Sequence, residues 1–197
     1  MNRACTAIAS LLISASAGLA QASFAGLGHF PQRPAYSEGL AISADGSTAV
    51  GSALLTSGPF NSTSGAYRWS ESSGFVSAFD PLGASSSSSA VSADGSVIVG
   101  WATFSGVSSL GTQAFVYRVG LGTTLLGDLP TNPGSPNSYA RGVSADGSVI
   151  VGIGQSAGGT EGFVYRVATG QFTPIGSLSA VSFGSWAYGV SGNGQVL

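Results

Sequence analysis

The feature that most restricts the fold is a short motif that returns at near-constant spacing. It reads Ser43-Ala-Asp-Gly-Ser-Thr-Ala-Val-Gly51, then Ser92-Ala-Asp-Gly-Ser-Val-Ile-Val-Gly100, then Ser144-Ala-Asp-Gly-Ser-Val-Ile-Val-Gly152, with a degenerate fourth copy, Ser191-Gly-Asn-Gly-Gln-Val-Leu197. The leading serines are 49, 52 and 47 residues apart. A second motif falls between the copies: Ala66-Tyr-Arg-Trp69, Ala114-Phe-Val-Tyr117 and Gly162-Phe-Val-Tyr165, followed by Gly74, Gly122 and Gly170. Two motifs in fixed order, three times over, define a repeat architecture.

Each motif has a backbone reason. Short apolar stretches flank Ala-Asp-Gly, the sequence of a three-residue hairpin loop. There Asp45 bonds nearby backbone and Gly46 takes the left-handed conformation that closes a bulge. Asp94 with Gly95 and Asp146 with Gly147 repeat this turn, and Asn193 with Gly194 is its variant, Asn being the other residue that tolerates the geometry. In the second motif, alternation along a strand sends Tyr67 with Trp69, Phe115 with Tyr117, and Phe163 with Tyr165 to one face. These pairs read as core between repeats. Their trailing glycines close a second hairpin, so one repeat contains four short strands in two hairpins.

Composition agrees and excludes other classes. Charged residues are 7% of the 197, against about 25% in an ordinary soluble domain, and 31 Gly with 35 Ser make up a third of the chain. Six Arg, no Lys and a net charge of -2 cannot build a phosphate-binding face, so nucleic acid is not an expected partner. With 43% hydrophobic residues, disorder is not expected either. No helical apolar period persists beyond residue 22.

The N-terminus reads as an export signal. Arg3 precedes an apolar and small-residue run from Ala4 to Ala20, which ends in Ala20-Gln21-Ala22 and predicts cleavage before Ser23. Ser, Thr and Gly dilute the run too much for a membrane span of ~20 apolar residues, so no span is expected in the mature chain. Its loss removes Cys5, the single cysteine, and with it any disulfide or thiolate metal site.

The expected organisation is a signal peptide over 1–22, an N-terminal segment over 23–35 and a repeat domain over 36–197. Its units are approximately 36–83, 84–130 and 137–178, with a partial unit over 183–197. Four antiparallel strands in about 50 residues match a β-propeller blade. The expected fold is all-β and propeller-like. The alternative is a β-solenoid, whose coils repeat in about 20–30 residues. Leu197 aligns with Ile150 inside a repeat, so the sequence is expected to be part of a longer protein.

The alternation of these motifs resembles the HAF-type extracellular repeat. Ala66 to Trp69 matches that family's Ala-Phe-Arg-Trp strand, and Leu82-Gly83, Leu126-Gly127 and Ile175-Gly176 match its Leu-Gly segment. The resemblance covers roughly residues 36–197. It implies a secreted bacterial protein of propeller-like fold and no catalytic residues.

Candidate chemistry is sparse. His29 is the only histidine, and no Gly-x-Ser-x-Gly elbow sits in a strand-turn-helix context. The acids Glu38, Asp45, Glu71, Asp80, Asp94, Asp128, Asp146 and Glu161 are widely spaced and carry no calcium-loop pattern. No cofactor or metal is expected. Arg68, Arg118 and Arg166 read as partners of a repeat Asp or as solvated groups. The segment joining the two hairpins varies in length and carries Phe60, Trp101 and Phe104, which makes it the candidate binding loop. Two functions stay open. One is a non-catalytic secreted or cell-surface repeat protein, or a periplasmic one, that presents loops to a glycan or a surface protein. The other is a piece of a secreted propeller hydrolase whose catalytic residues lie in further repeats.

Overall fold

A computed structural model describes residues 26–27, 36–57, 62–78, 84–104, 111–130, 135–177 and 184–197. The expected signal peptide, His29 and Phe60 lie outside the described residues. Twelve strands follow one another: β1 (Ser37–Ile42), β2 (Thr48–Ser57), β3 (Ser62–Ser70), β4 (Gly74–Ser77), β5 (Ala84–Val91), β6 (Val97–Phe104), β7 (Thr112–Arg118), β8 (Gly122–Gly127), β9 (Tyr139–Val143), β10 (Val149–Ser156), β11 (Gly159–Arg166) and β12 (Gln171–Pro174). They form three four-stranded sheets, each a simple antiparallel meander in chain order. No helix occurs among the described residues.

Three hairpins per sheet replace the expected two hairpins joined by a loop. The joining segments are the long middle strands themselves: β2 runs on to Ser57, β6 to Phe104 and β10 to Ser156 before the chain turns. Gly51, Gly100 and Gly152 close the repeated motif, and each sits inside a continuous strand. Gly100 pairs with Ser88 on one side and Phe115 on the other, and Gly152 pairs with Ala140 and Phe163. A Cβ on Gly152 would run into the Tyr139 carbonyl and approach the Phe163 ring to 2.8 Å. Glycine is needed there to seat the ring, not to end the strand.

The core lies between sheets. Phe115 of the second sheet packs with Ala66 and Ala78 of the first, and Phe163 of the third packs with Val97, Val99, Ala114 and Val116 of the second. Tyr67, Phe115 and Phe163 are all fully buried, while Trp69, Tyr117 and Tyr165 stand half-buried at the margin. Burying one such ring contributes about 2–3 kcal/mol. The first strand of each sheet lies against the sheet before it: β5 packs on β1, β2 and β3, and β9 on β5, β6 and β7.

Residues 184–197 continue the series. Ala187 and Val190 pack on Val149, Val151 and Val164 of the third sheet. The segment thus occupies the place that β9 takes against the second sheet.

Candidate functional site

The repeated Asp-Gly turns are the most regular chemistry in the molecule. All four glycines have positive φ, at 73° for Gly46, 74° for Gly95, 72° for Gly147 and 71° for Gly194, as the turn requires. The loop is one residue longer than the expected three-residue form, because Ser43 N–H bonds the Thr48 carbonyl at 2.8 Å and Gly46 N–H turns back to the Ser43 carbonyl. Side chains explain the extra residue. The Ser43 hydroxyl accepts from Thr48 N–H at 3.0 Å and donates to Asp45 Oδ1 at 2.6 Å, while Ser47 N–H donates to the same oxygen at 3.0 Å. Ser92, Asp94, Ser96 and Val97 repeat the arrangement, as do Ser144, Asp146, Ser148 and Val149.

Those bonds favour the ionised carboxylate. The Ser92 hydroxyl, then the Ser96 N–H and hydroxyl, hold Asp94 down to about 2, and Ser144 with Ser148 does the same for Asp146. Asp45 is lowered by Ser43 and Ser47 in the same way. In the fourth copy Asn193 Oδ1 accepts from the Ser191 hydroxyl at 2.8 Å and from Gln195 N–H at 3.1 Å. An amide serves where the others have an acid, so the position asks for a hydrogen-bond acceptor rather than a proton donor. The expected pairing of repeat Asp with Arg is not what these turns show: serines bond the carboxylates, and Arg68 donates to Ser73.

Three contacts join each unit to the next. Ala44 N–H donates to the Ala93 carbonyl, Ala93 N–H to the Ala145 carbonyl and Ala145 N–H to the Gly192 carbonyl, each at 3.0 Å. The Ser86 hydroxyl accepts from Ala66 N–H at 2.9 Å, Ser138 from Ala114 N–H at 2.9 Å, and Ser185 from Gly162 N–H at 3.0 Å. Finally, a Cβ on Gly95 would fall 2.5 Å from Thr48 Oγ1, on Gly147 2.5 Å from Val97 Cγ2, and on Gly194 2.7 Å from Val149 Cγ2. Each turn glycine is therefore seated on the first residue of the preceding unit's second strand. Gly46 has open space instead and lines a hollow of about 670 Å³ with Trp69, Arg68 and Glu71. A second hollow, about 560 Å³, lies beside Trp186, Tyr188 and Leu197.

The candidate binding loop is placed differently from the sequence expectation. Trp101 and Phe104 belong to β6, not to a loop. Val97, Val99 and Trp101 share the face of β6 that meets the third sheet, and the Trp101 ring meets Tyr139 edge-on at 5.7 Å. Arg141 lies over the same Tyr139 ring, its guanidinium carbon 5.3 Å from the centroid. Sequence reasoning passed over both residues. Arg141 is the extra residue of a bulge, skipped between Ala140↔Gly152 and Gly142↔Val151, and Leu40 and Ser89 are skipped in the same way in β1 and β5.

The fold and turns define an all-β repeat protein whose recurring polar groups hold its own backbone. No protein-family model matches the sequence, and no curated protein matches it. Among solved structures it is similar to TolB from Acinetobacter baumannii, with 20% identity over 70% of this chain and 32% of that one, and a TM-score of 0.48. It is also similar to a putative TolB from Agrobacterium tumefaciens, with 16% identity over 69% of this chain and 44% of that one, and a TM-score of 0.45. The chain thus spans less than half the length of either structure.

Proposed function

We propose that the chain is a non-catalytic, exported repeat protein of propeller-like architecture whose sheets form a rigid frame that holds a glycan or another surface protein. The observation that carries this reading is the three-part joint, repeated from unit to unit with equivalent residues. Backbone bonds from turn to turn, a serine hydroxyl that accepts from the preceding sheet's third strand and a seated glycine set successive sheets in one relation. Such serial stacking of four-stranded meanders is how propeller blades assemble. The middle hairpins, in contrast, turn between Ser57 and Ser62, between Phe104 and Thr112 and between Ser156 and Gly159, so their tips differ in length on a constant frame. Constant joints with variable tips suit recognition rather than turnover. The HAF-type resemblance and the export signal of residues 1–22 belong to the same reading. A glycan-array screen of the purified chain, run beside a panel of chromogenic glycoside and ester substrates, tests it. Saturable array hits without turnover are expected, whereas turnover of any substrate at an enzymic rate rejects the reading.

A further inference from the structure

We propose that Trp101, Tyr139 and Arg141 form a subsite for a carboxylated sugar ring, an inference that rests on the glycan-binding reading above. The chain has only six arginines, and Arg141 is placed by a bulge, a device that re-aims one side chain out of the regular alternation. Its guanidinium lies over the Tyr139 ring, and Trp101 meets that ring edge-on, so cation and aromatic surface stand side by side. The group lacks what a structural arginine has. Among the described residues no carboxylate pairs with it, and its Nε is buried without an acceptor. The Nε is sealed from solvent, so an entering carboxylate meets the two outer Nη groups, for which no hydrogen-bond partner exists among the described residues. The planar fork matches a carboxylate in two parallel bonds, and the half-buried rims of Trp101 and Tyr139 offer apolar surface to the sugar ring that carries it.

Isothermal titration of the full chain with an oligogalacturonate, with its neutral methyl ester and with acetate separates the contributions. The acidic oligosaccharide is expected to bind, the ester to bind at least about tenfold more weakly, and acetate alone not to saturate. Arg141→Gln is expected to bring the acid down to the level of the ester while leaving the ester unchanged, and Arg141→Lys, which keeps the charge and loses the fork, to fall between. The thermal midpoint of each variant is measured alongside; if Arg141→Gln does not fold, Arg141→Lys decides, and unchanged affinity in it overturns the subsite. Equal binding of acid and ester, or full affinity in Arg141→Gln, overturns the subsite while glycan binding stands. Failure of any array glycan or oligosaccharide to bind overturns both.

Discussion

The hydroxyl of Ser138 stands between two sheets: it accepts the Ala114 N–H at 2.9 Å and donates to the carbonyl of Gly127. Ala114 lies on β7 and Ser138 just ahead of β9, so one side chain ties the second sheet to the third. Both atoms of the Ala114 bond are buried. Ser138→Ala leaves a buried N–H without a partner and is expected to destabilise the fold by about 1–3 kcal/mol. Hydrogen exchange at the Ala114 amide, read by NMR, should quicken more than at neighbouring β7 amides. Unchanged protection there would mean that the serine does not hold the joint.

Two glycines with the same φ separate conformation from packing. Gly46 and Gly147 sit at 73° and 72°, but a Cβ on Gly46 meets nothing while one on Gly147 meets Val97. Gly46→Ala should therefore lose only the left-handed preference, about 1–2 kcal/mol. Gly147→Ala adds an overpacking penalty of about 1–3 kcal/mol. Urea denaturation of the pair should place Gly147→Ala clearly lower in midpoint; equal midpoints would contradict the seated joint.

The turn serines link each carboxylate to its loop. Ser92→Ala removes the acceptor for Val97 N–H and the donor to Asp94 together, and a loss of about 1–2 kcal/mol is expected. In the same variant the Asp94 carboxyl should titrate closer to its ordinary value, since the Ser92 hydroxyl is the largest cause of its depression. NMR titration of the Asp94 side chain reads this directly.

Acid should weaken the fold in a defined window. Asp94 and Asp146 bind protons more weakly folded than unfolded, so their ionised forms stabilise the fold above the ordinary value of 3.8, and that stabilisation fades as pH falls toward about 2. Thermal midpoints taken from about pH 5 to pH 2 should fall, and the fall should be shallower in Asp94→Asn with Asp146→Asn, whose amides mimic Asn193. Identical pH profiles in variant and parent would remove these turns as its cause.

What could be read in the sequence was local. The Asp-Gly turns are legible because a positive φ next to a short acceptor leaves few residue choices, and all four copies meet that demand. The buried rings of Tyr67, Phe115 and Phe163 are legible from strand alternation. Joints between sheets are not. Ser86 stands in a run of five serines, Ser85 to Ser89, and nothing in the string marks it as the one whose hydroxyl meets Ala66. The place of Gly100 inside β6 is not legible for a related reason: a glycine that seats a ring from a neighbouring strand carries no mark of that ring in its own stretch of sequence. Arg141 was hidden because a bulge exists only relative to the strand opposite it.

The turn-to-turn bonds from Ala44 through Ala93 and Ala145 to Gly192 use main-chain atoms alone, so they survive any side-chain change that the loop geometry allows. Excising or duplicating one whole unit leaves equivalent cut faces at the joints where a turn glycine is seated on the unit before it. Insertion or loss of a whole unit of about fifty codons should therefore disturb the joints less than a point change at one of the seated glycines.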